Sequence, residues 1–288
     1  MFEGVIPALV TPFKENFEVD FEGIAKNLDY LEKYVDAVVP AGTTGEAATL
    51  SHEEHVEVIK YVCEVAKKPV IAGAGSNSTR EALFLAKEAE KAGADAVMLV
   101  TPYYNKPNAE GLYRHYKAVA DEVSIPILVY NVPSRTGINT TPDVVEKLAS
   151  IERVVGIKEA SGNLKQVAEI IRRLGDKFIV LSGDDFMTLP ILLLGGKGVI
   201  SVAANVAPKL MKEMYEAFKS GNVEKARELH YKLMPLFDAL FIDTNPIPVK
   251  KALELMGLPA GKPRMPLVEL SEEKTEKLKK VLESLQLI

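Results

Sequence analysis

Eight short, almost wholly apolar runs recur along the chain, most of them about thirty residues apart, and the gaps between them carry helix-period patterning. They are "GVIPALV" from residue 4, "AVVPAG" from 37, "PVIAGAG" from 69, "AVMLVTP" from 96, "IPILVYNVP" from 125, "VVGIKEA" from 154, "FIVLSGDD" from 178 and "GVISVAA" from 198. A strand that is apolar on both faces belongs to a parallel sheet covered on both sides. Eight such strands, each followed by a helix, predict an α/β chain folded as a (β/α)8 TIM barrel rather than a doubly wound sheet. No G-x-G-x-x-G follows the first run, which removes the main support for a dinucleotide-binding fold.

Helix boundaries agree with this reading. Ser51 and Glu54 in "LSHEEHVEV" form a capping-box pattern, and Thr141 stands before Pro142 at a first helical position. The barrel accounts for residues 1–221. Residues 222–288 read as a C-terminal three-helix extension, its helices opened by Asn222, Asn245 and Ser271 as capping residues, with the Pro-rich "LPAGKPRMPLVE" between the last two.

Composition narrows the function. A hydrophobic content of 47% over 288 residues is ample for a packed core, and a net charge of −5 argues against a nucleic-acid partner. Cys63 is the only cysteine, so no intramolecular disulfide can form. The opening "MFEGVIPALVTPF" lacks a basic leader, and no run approaches the ~18 apolar residues of a membrane span. A cytoplasmic setting, no membrane partner and small polar or anionic substrates are expected.

Barrel active sites form where strands end, so "GTTGE", "TPYYNKP", "YNVPSRTG", "KEASGN" and "SGDD" are the segments to inspect. "LGGKG" (194–198) looks like part of a phosphate loop but precedes the eighth run and belongs to the opposite face. Among the exits, Lys158 is the anomaly, because an ammonium in an apolar strand costs several kcal/mol unless paired or deprotonated. Its neighbour Glu159 cannot be the partner, since successive strand residues point to opposite faces. The chemical use of such a lysine is as a free amine that attacks a carbonyl to form a Schiff base. The proton transfers of that chemistry need nearby acids or bases. No histidine lies at a strand exit, which leaves Tyr130, Tyr103, Tyr104, Thr43 and Thr44. The Gly-flanked "AGTTGE" turn also offers backbone N–H groups for a carboxylate.

In this order and spacing, "GTTGEAATLS", "VTPYYNKP", "YNVPSRTG" and "GIKEASGN" resemble the dihydrodipicolinate (4-hydroxy-tetrahydrodipicolinate) synthases. These belong to the pyruvate-dependent class I aldolase superfamily that also holds N-acetylneuraminate lyase. The resemblance runs from "GVIPALVTPF" through "NPIPVK". It implies a lyase condensing pyruvate with L-aspartate-4-semialdehyde in lysine and diaminopimelate biosynthesis, without cofactor or metal. Lys158 would form the imine with pyruvate, and Tyr130, Thr43 and Tyr104 would relay protons. Tyr104 would reach a neighbouring subunit's site in a homotetramer built as a dimer of dimers. Thr44 would hold the pyruvate carboxylate, and Gly183 and the Ile200 carbonyl would line the substrate pocket.

Arg135 in "VPSRTG" is assigned by the same resemblance to the aldehyde's carboxylate, which suits a guanidinium fork. It favours the synthase over a 2-keto-3-deoxy sugar-acid aldolase of the same superfamily. A non-catalytic keto-acid-binding barrel would have lost the lysine or the relay residues, and all are present. His52 and His55 stand one helical turn apart but lack a third neutral ligand for zinc. The resemblance also implies an effector site of Ala48, His52, His55, Asn77, Glu81 and Tyr103, as in lysine-inhibited relatives. Ala47 departs there from a pattern that carries serine.

Overall fold

The computed structural model describes residues 2–288. Short β-branched and small apolar stretches form seven parallel strands among the described residues: β1 (Gly4–Pro7), β2 (Ile71–Gly73), β3 (Ala96–Val100), β4 (Ile127–Asn131), β5 (Val154–Glu159), β6 (Ile179–Ser182) and β7 (Gly198–Ser201). Their order, β1-β7-β6-β5-β4-β3-β2, brings the two ends of the sheet round towards each other, as in a barrel.

Residues 37–40, read from the sequence as the second of eight strands, close the ring without forming a ladder. Single parallel bridges, Ala8 to Val39 and Val38 to Val70, join them to both edges. Prolines explain the shortfall. Val5 and Leu9 both donate towards this segment, to Asp36 Oδ2 and to the Val39 carbonyl, and the residue between them that should do the same is Pro7. On the other seam Val38 donates to the Pro69 carbonyl, and the next N–H in phase would be that of Pro40. Each seam therefore lacks one donor that a regular strand would supply.

Three apolar clusters follow from strand alternation. Ile6, Ile71, Leu128, Leu181 and Ile200 fill the barrel. A second cluster, including Leu31, Ile59, Leu99, Leu148 and Ile170, lies between strands and helices over the first part of the chain. The third joins Val5 and Val199 of the barrel to Met211, Leu233, Leu253 and Leu278. The last three of these come from the helices Val223–Ala239, Ile247–Leu255 and Glu272–Ser284, so the segment beyond Asn222 shares its core with barrel strands. The last helix is held mainly by Leu278 and Leu282, each fully buried. Truncating either to alanine should cost about 2–5 kcal/mol.

Seven helices start on a side chain that accepts the N–H three residues on: Asp20, Ser51, Ser78, Asn108, Asn163, Asn222 and Ser271. Ser51 and Glu54 form the full reciprocal capping box. Thr141 precedes Pro142 as expected but makes no cap hydrogen bond. Asn245 is not a cap either. The helix expected to open on it starts after Pro246, and the Asn245 side chain turns elsewhere. Lys197 of "LGGKG" bonds the Val180 and Gly4 backbones at the start of β7, on the face away from the strand exits. Among the described residues, no helix is long and apolar enough to cross a membrane.

Candidate active site

Tyr130 and Lys158 are paired across the β4–β5 ladder, and both point into the barrel mouth. Each is 6% exposed, and Lys158 Nζ lies 4.0 Å from the centre of the Tyr130 ring. Among the described residues no acidic side chain pairs with that amine. Glu159 faces the other way, as alternation requires. It is buried outside the barrel, where it accepts hydrogen bonds from Asn131 Nδ2 at 3.0 Å, Gln166 Nε2 at 3.2 Å and the Ser161 N–H at 2.6 Å.

Lys158 opens onto a cavity of about 250 Å³ that also has Thr43, Thr44, Tyr130, Arg135, Gly183 and Asn245 in its wall. Five of these were candidates from the sequence. Asn245 was not, because its place before two prolines reads as a helix cap. Its Nδ2 instead donates to Thr44 Oγ1 at 3.1 Å, its carbonyl accepts from Arg135 at 3.3 Å, and its buried Oδ1 has no partner. One residue thus touches both side chains expected to hold carboxylates. No local signal marks it, because the contact with Thr44 spans 201 positions and is made only when the C-terminal extension folds back over the strand exits.

The "GTTGE" turn is anchored from beneath. Glu46 adopts a left-handed backbone, with φ 54°, and its carboxylate receives Lys250 Nζ at 2.6 Å and the Arg264 N–H at 2.9 Å. Burial pulls the Lys250 ammonium below its ordinary pKa, against the attraction of Glu46. The strand-seven exit is tied in a similar manner by Asp185, which accepts from Ser201 Oγ at 2.5 Å and from the Val202 and Ala203 N–H groups at 3.0 and 2.8 Å. Burial pushes its carboxyl up to about 6 despite those donors. At Gly183 any added Cβ would stand 3.0 Å from Lys158 Cγ and 2.8 Å from Ala160 Cβ, so a bare backbone is needed beside the lysine. Ile200 is buried in the barrel interior and is not part of the cavity wall.

Tyr104 is not brought to the cavity of its own chain. It is 89% exposed on a left-handed backbone with φ 71°. A second cavity, of about 280 Å³, shares Thr43, Tyr130, Val132 and Arg135 with the first and is bounded by Ala48, His55, Glu81 and Tyr103. His55 is buried and holds the Gly73 carbonyl at 2.6 Å, with its pKa lowered chiefly by that burial. Glu81 bonds Ser76 and His52, which keep its carboxyl below the usual range. Asn77 sits beside this group and donates to the Tyr103 carbonyl.

The model of the Dihydrodipicolinate synthetase family matches residues 1–285. The 4-hydroxy-tetrahydrodipicolinate synthase of Archaeoglobus fulgidus is 78% identical over 288 residues, covering 100% of both chains. Among solved structures, the dihydrodipicolinate synthase from Aquifex aeolicus superposes with a TM-score of 0.97 at 48% identity, over 99% of each chain. A structure described as the first monomeric dihydrodipicolinate synthase variant superposes equally well, at 0.97 and 46% identity, over 100% of this chain and 98% of its own. With this agreement over the whole length, in sequence and in fold, the chain belongs to the dihydrodipicolinate synthetase family.

Proposed function

We propose that this chain condenses pyruvate with L-aspartate-4-semialdehyde to 4-hydroxy-tetrahydrodipicolinate through a Schiff base on Lys158. The observation that carries the mechanism is an unpaired, buried amine 4.0 Å from the ring of Tyr130 at the mouth of the barrel. The amine adds to the pyruvate ketone, and loss of water gives the imine. A proton leaves the adjacent methyl group, and the resulting enamine carbon attacks the aldehyde, whose oxygen takes up a proton. The amino group of the second substrate then adds to the regenerated imine carbon, closing the ring and releasing the Lys158 amine. Tyr130 and Thr43 line the same cavity and serve these proton transfers. Thr44 and the "GTTGE" backbone hold the pyruvate carboxylate, while Arg135 takes the carboxylate of the incoming aldehyde.

Tyr104 serves a neighbouring copy's site in this reading, within a homotetramer, and its exposure supports that role. The second cavity is the place for an effector bearing an ammonium group, with Glu81 as its counter-charge. A cytoplasmic setting goes with a biosynthetic enzyme of this kind. The two substrates supplied together should give product, whereas a panel of 2-keto-3-deoxy sugar acids should not be cleaved. Borohydride added with pyruvate should label Lys158, located by peptide mass spectrometry. Label on another lysine, or none in active enzyme, would overturn the mechanism.

A further inference from the structure

The paired side chains inside the barrel have a counterpart outside it. One residue beyond Tyr130 and Lys158 along their strands, Asn131 and Glu159 are also partners in the β4–β5 register. Alternation turns this second pair outward. Both are buried, at 0% and 2% exposure, although they are polar and on the outer face. A buried carboxylate without a cation is an expensive group to keep. Here it is kept by donors alone: Asn131 Nδ2, Gln166 Nε2 and the Ser161 N–H. Backbone bonds continue the staple, since the Ala160 N–H donates to the Asn131 carbonyl and the Gly183 N–H donates to the Glu159 carbonyl at 2.8 Å.

The same cluster reaches the loop that carries Arg135. Asn131 Oδ1 accepts the Thr140 N–H at 3.0 Å, and Asn131 Nδ2 donates to Asn139 Oδ1 at 2.9 Å. Asn131 therefore grips the far end of the 132–140 loop while holding Glu159.

We infer that Glu159 and Asn131 form a positioning pair that fixes Lys158 against Tyr130 and holds the 132–140 loop over them. The inference rests on Lys158 being the imine-forming amine. A one-residue change of register would turn the lysine out of the barrel, and a shift of about 1 Å in such a pair can cost ~10²-fold in rate. Neither residue touches the cavity, so both act through others.

Glu159→Gln keeps the shape but turns one of the two acceptor oxygens into an amide donor, which must face either the donors of Asn131 and Gln166 or the Ser161 N–H. Asn131→Asp, combined with it, returns an acceptor to the pair while preserving net charge and the acceptor for Thr140, and gives up only the donor to Asn139 Oδ1, whose amide can turn its own N–H to the new carboxylate. With pyruvate at saturation and borohydride as the trap, Glu159→Gln should slow imine formation on Lys158 by ~10- to 100-fold in protein that remains folded by circular dichroism. The double variant should recover a substantial part of that loss, which damage to the fold alone would not predict. A rate within twofold of wild type for Glu159→Gln, or a double variant no faster than the single, would overturn the inference. If Glu159→Gln does not fold, Gln166→Leu removes one of the donors to Glu159 together with the Gln166 bonds to Asn139 and the Thr140 carbonyl, and should slow the same step severalfold. An unchanged rate there would be equally fatal. Failure of the wild type to label Lys158 would sink the Schiff-base reading and this one with it. Labelled wild type with unaltered variants sinks only the positioning pair.

Discussion

Lys250 Nζ lies 2.6 Å from Glu46 Oε1, and the two side chains are only 2% and 1% exposed. The pair joins the C-terminal extension to the turn that carries Thr43 and Thr44. The amine also reaches the Thr11 and Lys262 carbonyls at 3.2 Å, so most of its donors are used. Removing one partner strands a buried charge. Lys250→Met or Glu46→Gln alone should destabilise the protein by about 3–5 kcal/mol, whereas the two changes together should cost clearly less than their sum. Urea unfolding of the three variants gives the coupling directly. Additive losses would mean that the pair is not energetically linked.

Arg135 is expected to act on the second substrate. Arg135→Ala should lower kcat/KM for aspartate semialdehyde by ~1.5–3 kcal/mol per lost charge-assisted bond, with little change in imine formation. Arg135→Lys keeps charge without the fork and should also be impaired. Equal losses in both assays would show a general defect of the loop.

Loss of the Asn245 side chain should be felt through Thr44 and not through Arg135, which bonds the Asn245 backbone carbonyl. Asn245→Ala removes the donor to Thr44 Oγ1, and the loss of about one neutral hydrogen bond, ~1 kcal/mol, should raise KM for pyruvate several-fold. The mutant is informative because its own side chain is not assigned a chemical step. An unchanged KM would mean that Thr44 holds its geometry without help.

Tyr130→Phe and Thr43→Val should lower turnover by ~10²- to 10⁴-fold with the fold intact, the usual contribution of positioned acid–base groups. Tyr104→Phe should behave in the same way, though its phenol lies outside its own cavity. Mixing inactive Tyr104→Phe and Lys158→Arg subunits should restore some activity. Verified mixed oligomers without activity would argue that each site is built within one chain.

Acid sensitivity should come partly from His115. Burial holds its pKa down to about 4, against 6.5 in the open chain, with Thr79 Oγ1 at 2.9 Å from Nδ1 and Nε2 unpartnered. The unfolded chain therefore binds the proton more readily. The contribution is fully present above pH ~6.5 and is lost as pH falls through ~4, amounting to about 3 kcal/mol at most. His115→Asn should flatten the decline in unfolding free energy between those values, leaving the same-signed slope of buried His55 and His230. It also leaves the opposing contribution of Asp185, whose raised carboxyl pKa favours the folded state as pH falls towards 4. A decline as steep as wild type would assign the acid loss to other groups.

The barrel was legible because its evidence is periodic: apolar runs, helix caps and turn glycines repeat, and Lys158 stood out as a charge where the pattern demanded none. Glu159 could be turned outward from alternation alone. The closing segment misled because its residues have strand composition, while the missing N–H groups of Pro7 and Pro40 matter only once neighbours are known. Asn245 escaped for a related reason. Its local sequence fits a cap, and only the fold brings it within reach of a threonine 201 positions earlier. Glu46 and Lys250 are 204 positions apart, and nothing local marks either as paired. Contacts of that span are set by topology, which spacing describes only coarsely.

The two prolines at the closing seam change what holds the ring together there. A ladder resists opening through hydrogen bonds, each worth a modest net amount against water. Proline narrows the choices of the unfolded chain instead, so these residues have less freedom to lose when the last gap in the barrel is closed. Resistance to opening at 37–40 is thus partly entropic, residing in the ensemble the protein leaves rather than in bonds it makes. Substituting Pro40 by alanine would restore a donor to the seam and still release conformations to the competing unfolded state.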